Sequence, residues 1–184
     1  MLVNLLIVDN FYSNPEGVRS FALSQEFSEK GNYPGLRTKS FLNDSTKKSI
    51  ENLLIGFSGR ITNWFEDAGL TGSFQITTSR DRSWIHADYV NTWAGVCYLT
   101  PDAPLSAGTG LFQYKKNNAR IESEIGEPYD GLDKTKWDLA DRVANRFNRL
   151  ILYRSNQFHT SLDYFGNDLQ SGRLFQVFFF DTER

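Results

Sequence analysis

The chain has 184 residues, 40% hydrophobic and 15% aromatic, with a formal net charge of −2. That is enough for one continuous core, and it excludes a disordered polyelectrolyte. The basic pairs Lys47-Lys48 and Lys115-Lys116 are too short and isolated to track a phosphate backbone, so nucleic acid is not an expected partner. A single cysteine, Cys97, excludes an intramolecular disulfide and a thiolate metal cluster.

The first nine residues lack the positive flank and cleavage site of a signal peptide. No apolar stretch approaches membrane-spanning length, so a cytoplasmic protein with no membrane partner is expected. Residues 2–8 read as a strand. Asn14 as N-cap and Pro15 at the first helical position open a helix running to about Glu29. A Gly/Pro-rich connection over 31–35 leads to a second helix over 45–67. There Ile50, Leu53, Leu54, Phe57, Ile61, Trp64 and Phe65 recur at three- and four-residue spacing, while Gly56 and Gly59 mark a place for a break.

From Ser73 the pattern becomes short β-rich runs, over 73–78, 84–91, 94–100, 110–114, 150–155, 157–163 and 173–181. Strands at this spacing predict a sandwich or barrel. Residues 115–136 are polar, contain Gly126, Pro128 and Gly131, and are too long for a hairpin turn, so they read as an insertion over one mouth of the barrel. A short helix is expected over 137–145. Nothing in the sequence divides the chain, so residues 1–184 are expected to form one domain, with 1–72 as a strand and helical support and 73–181 as the β core.

Only two histidines are present. The first stands in Trp84-Ile85-His86-Ala87-Asp88, where strand periodicity would send His86 and Asp88 to one face as a pair of metal ligands. The second, His159, lies in another strand-like segment, with Gln157 and Ser161 expected on its face. Two imidazoles and one carboxylate occupy one face of an octahedral ion and leave three positions open, which suits iron(II) chemistry. The same donors also suit an open zinc site with an activated water, or a cupin-like module that binds a metal or small acid without turnover. Arg173 begins an otherwise apolar strand whose Phe175, Val177 and Phe179 would share its face. A guanidinium in such surroundings needs a carboxylate, from a ligand or from a protein acid such as Asp163.

The combination of H-x-D at His86 and Asp88, the distal His159 and the trailing Arg173 resembles the iron(II)- and 2-oxoglutarate-dependent dioxygenases of the double-stranded β-helix fold, particularly the prolyl-hydroxylase-like branch. The resemblance covers roughly residues 73–181. Residues 94–101, 108–112 and 148–153 are similar to family strands in family order. It implies a mainly β jelly-roll core with N-terminal helices packed on one sheet. Iron(II) would be held by His86, Asp88 and His159, and 2-oxoglutarate bound through Arg173. Molecular oxygen and a small-molecule or peptidyl substrate would complete the reaction, ascorbate serving as an optional reductant. Many relatives carry Ser or Thr two residues after the basic residue; here that position is Phe175.

Overall fold

The computed structural model describes residues 3–66 and 71–184. Among the described residues ten strands form two antiparallel sheets. The larger runs in the order β1 (Leu5–Val8), β8 (Leu150–Arg154), β5 (Trp93–Tyr98), β10 (Arg173–Thr182), β4 (Ser73–Thr77), β2 (Leu36–Ser40), with β3 (Ile61–Asn63) on the far end of β10. The smaller is β7 (Trp137–Val143), β6 (Thr109–Tyr114), β9 (His159–Ser161). Two packed antiparallel sheets of this topology make the expected jelly-roll, double-stranded β-helix core.

Alternation in the central strands shows why they read as continuous apolar runs. Ala94, Val96 and Tyr98 of β5, Ile151 and Tyr153 of β8, and Phe175 and Val177 of β10 turn toward the smaller sheet, meeting Leu111 and Val143. Their neighbours Trp93, Cys97, Leu150, Leu152, Leu174, Phe178 and Phe180 turn the other way, onto Ile50 and Leu54. Those two residues lie on α2 (Asp44–Ser58). Burial on both faces removes the polar half of the period-two pattern. Burial also pushes the Cys97 thiol up, so it behaves as a small core hydrophobe.

Both helix starts follow their caps: Asn14 accepts from the Gly17 amide at the head of α1 (Pro15–Leu23), and Asn43 accepts from the Thr46 amide at the head of α2. α1 ends at Leu23, short of Glu29, because the chain then turns into an extended bridge in which Glu29 and Arg37 exchange backbone hydrogen bonds of 3.0 Å. α2 stops at Gly59, whose φ of 78° favours glycine, and Ile61–Asn63 becomes a strand. The outermost residues of two expected elements, Leu2 and Asp67, lie outside the described residues.

Two expectations are corrected. Residues 137–145 contain strand β7 and no helix, since pairing with β6 from Thr109↔Val143 to Tyr114↔Trp137 sets the backbone and buries Trp137 and Val143. Residues 84–91 form no strand. Only His86 bridges His159, while the Ile85 amide bonds to the Gly131 carbonyl and the Asp88 amide to the Ser155 carbonyl.

The 115–136 segment carries one helical turn, α3 (Glu122–Ile125), and packs Ala119, Ile125 and Tyr129 against Ile85, Trp137 and Phe158. Among the described residues no helix is long and apolar enough to cross a membrane.

Candidate functional site

His86, Asp88 and His159 come together between the sheets, their donor atoms all within 4.8 Å of one another. His159 sits on the edge strand β9, paired with Leu111 of β6. The reciprocal backbone bonds between His86 and His159, 3.1 and 2.8 Å, bring the irregular segment to it. The ring centroids lie 4.5 Å apart.

Each imidazole is oriented by a carbonyl. Nδ1 of His86 lies 2.9 Å from the Trp84 oxygen and Nδ1 of His159 lies 2.8 Å from the Gln157 oxygen. A carbonyl only accepts, so each Nδ1 carries the proton and each Nε2 keeps its lone pair. Both Nε2 atoms face Asp88, at 3.9 Å from Oδ1 for His86 and 3.8 Å from Oδ2 for His159. These separations exceed hydrogen bonding, so the donors converge on a shared gap and not on one another. Burial pushes His159 down to about 4, with His86 acting in the same direction, which leaves its ring neutral at pH 7. The donor set and its carbonyl supports therefore fit a divalent cation.

The three residues line a cavity of about 760 Å³ that also takes in Thr109, Tyr153, Arg173, Phe175, Val177 and Phe179. This volume lies within the range of roughly 300–1,000 Å³ usual for small-molecule sites.

Arg173 is only 1% exposed. Its Nε donates to the Ala107 carbonyl at 3.0 Å, and its guanidinium lies 4.3 Å from the Phe175 ring centroid and 5.3 Å from that of Tyr98. Among the described residues it forms no ion pair, with Asp163 or any other acid, and its buried Nη1 has no hydrogen-bond partner. An unmet buried donor costs about 1–3 kcal/mol, and more when charged. Arg173 thus leaves one buried donor in the cavity without a partner among the described residues.

Hydroxyls missing at Phe175 are present nearby, since Tyr98 and Thr109 bond to each other beside Arg173. Gln157, expected to share the inner face of His159, instead donates through its side chain to the Asn4 carbonyl. Arg80 and Arg82 are exposed, and Arg82 bonds to the carbonyls of its own loop. Sequence reasoning missed Arg37, which lines the same cavity from β2, and Tyr153, whose ring lies 4.7 Å from that of His159. The alternation of Arg37 and Lys39 within the short run Leu36–Ser40 was the only signal for the former.

No protein-family model matches the sequence, and no curated protein matches it. Solved structures do. HygX from Streptomyces hygroscopicus, with nickel, 2-oxoglutarate and hygromycin B bound, matches with a TM-score of 0.61 at 13% identity, over 95% of this chain and 81% of that one. The non-haem α-ketoglutarate-dependent epimerase SnoN from nogalamycin biosynthesis gives 0.57 at 10% identity, over 97% and 78%. A prolyl hydroxylase from Trichoplax adhaerens, in complex with a hypoxia-inducible factor peptide, gives 0.52 at 14% identity, over 97% and 84%. At these identities the likeness is one of architecture, and it establishes that this chain has the double-stranded β-helix fold of the 2-oxoglutarate-dependent enzymes to which it is similar.

Proposed function

We propose that the chain is a non-haem iron(II)- and 2-oxoglutarate-dependent oxygenase. The observation that carries this reading is one cavity holding both the convergent donors of His86, Asp88 and His159 and a buried guanidinium, Arg173, with an unpartnered Nη1. The similar structures support it, since the HygX structure is described with nickel and 2-oxoglutarate bound.

The two Nε2 atoms and the Asp88 carboxylate would hold the metal on one face, leaving three positions for ligands. Bound iron(II) with 2-oxoglutarate and oxygen supplies oxidation of a C–H bond, with succinate and CO2 released and hydroxylation as the outcome. Arg173 would pair with the far carboxylate of the co-substrate through its unpartnered Nη1. Phe175 and Val177 keep that end dry, which strengthens the ion pair. Tyr153, held neutral by burial, offers a hydroxyl donor beside His159. A zinc hydrolase would use the same three donors but gives Arg173 no task. A reducing, cytoplasmic setting suits both an oxidisable iron(II) and the lone buried thiol of Cys97.

The test is anaerobic loading of the protein with iron(II), followed by 2-oxoglutarate. A weak visible charge-transfer band should appear, be lost in His159→Ala, and be followed under air by succinate. Ester hydrolysis by the zinc-loaded protein, with neither band nor succinate, would replace this reading with the hydrolase.

A further inference from the structure

Arg37 is a second cation in the cavity, and Arg173 leaves it without a task. It is 7% exposed, and burial pushes its guanidinium down only to about 10, so it stays charged. Its Nε donates to Gln75 Oε1 at 2.8 Å, and Gln75 is held in turn by donating to the Pro34 carbonyl at 2.6 Å. Tyr33 lies face-on 3.7 Å from the guanidinium carbon, and Phe179 lies 5.6 Å away. Among the described residues Arg37 has no ion pair and its two Nη groups have no hydrogen-bond partner. A stacked guanidinium tied down at Nε presents its Nη edge as a fork matched to a planar anion.

Register separates the two arginines. Arg37 pairs with Gln75, Gln75 with Phe175, and Arg173 lies two residues along β10 on the same face. Strands about 4.8 Å apart with a rise of about 3.4 Å per residue put the two Cα atoms roughly 12 Å apart. One guanidinium therefore closes the deep end and the other stands on the β2 wall. Lys39, two residues on from Arg37, and Lys30 add positive charge at that wall, against the single rim carboxylate of Glu29. The cavity lining faces this wall with Asp88 and Tyr153, and Asp88 is assigned to the metal.

We propose that the primary substrate carries a carboxylate that Arg37 grips through its Nη edge, holding the rest of the molecule against the open side of the metal site. This rests on the oxygenase reading. It assigns the substrate to small amino or organic acids, with the anion anchored on the β2 wall, away from the deep end where Arg173 would take the co-substrate's own carboxylate.

The test uses the protein loaded with iron(II) and 2-oxoglutarate under argon. The probes are the free L-amino acids and C3–C6 hydroxy acids, each beside its carboxamide, with binding read by saturation-transfer NMR and by perturbation of the visible band. At least one acid should bind at least tenfold more tightly than its amide. Arg37→Gln should abolish that binding, and Arg37→Lys should restore part of it, while the band itself persists in both variants and reports an intact metal and co-substrate site. Equal binding of acid and amide, retention of acid binding in Arg37→Gln, or no acid binding at all would overturn the proposal. A missing band in the unsubstituted protein would instead overturn the oxygenase reading beneath it.

Discussion

The hydroxyls of Tyr98 and Thr109 meet at 2.7 Å, joining β5 of the larger sheet to β6 of the smaller at the end of the cavity where Arg173 is buried. The pair ties the sheets together and puts hydroxyl groups beside a guanidinium that lacks an anion. Thr109→Val removes one hydroxyl at nearly constant volume. It should raise the 2-oxoglutarate Kd by roughly tenfold, about 1.4 kcal/mol, with metal affinity unchanged. Titration of the visible band measures this. An unaltered Kd with a lowered melting temperature would confine the pair to holding the sheets together.

Arg173 makes the opposite demand on stability. Burying a guanidinium without a counter-anion is costly, and replacement by an apolar side chain of similar length is often neutral or stabilising. Arg173→Met should therefore leave the ligand-free protein at least as stable in urea as the native one. The difference appears on adding metal and 2-oxoglutarate. At 100 times Kd the native protein gains about 2.7 kcal/mol, whereas the variant should gain almost none beyond the metal's own effect. A variant that is strongly destabilised without ligand would show that the Ala107 hydrogen bond, and not an absent anion, accounts for this arginine.

The sheet core was legible because its strands announce themselves. The runs around Ala94–Tyr98, Leu150–Arg154 and Arg173–Thr182 are apolar on both faces and bounded by turn residues, as doubly covered strands must be. β7 was not legible, because Asp138, Asp141 and Arg142 face solvent on an edge and its conformation comes from pairing with β6. His86 and Asp88 were found by i, i+2 spacing, although the structure uses no strand there and aligns them through backbone bonds to His159 and Ser155. Arg37 was hidden, since Leu36–Ser40 has four polar residues in five and only pairing with β4 turns its arginine inward.

Asp9 and Arg149 predict a pH dependence away from the site. Arg149 forks onto the carboxylate, Nε to Oδ1 at 2.7 Å and Nη2 to Oδ2 at 2.9 Å, linking the end of β1 to the start of β8. The hydrogen bonds from Arg149 hold the Asp9 carboxyl below its ordinary value. Such a group stabilises the fold above its unfolded pKa, near 3.9, and loses that contribution as pH falls through the lower folded value. Because Asp9 is 42% exposed, Asp9→Asn should cost less than about 1 kcal/mol at pH 7. The gap between the two urea curves should close as pH falls through that lower folded value. A gap that persists below it would assign the loss to packing and not to charge.

Gly131 controls the segment that carries His86. Its carbonyl accepts from the Ile85 amide at 3.0 Å, and a Cβ built at this glycine would stand 1.9 Å from the Ile85 carbonyl oxygen. The clash is with backbone, so no rotamer relieves it and one chain must move. Ile85 is fully buried against Phe112 and Phe158, and His86 is fixed on its other side by the bridge to His159. The polar loop around Gly131 is the freer partner, yet Tyr129 anchors it on Trp137 and Phe158 at ring distances of 5.6 and 5.0 Å. Gly131→Ala should therefore cost about 1–3 kcal/mol, as overpacking does, and should weaken metal binding more than it weakens 2-oxoglutarate binding measured at saturating metal. Metal affinity equal to that of the native protein, alongside the expected loss of stability, would show that the loop yields alone and that His86 is positioned by His159 without help from Gly131.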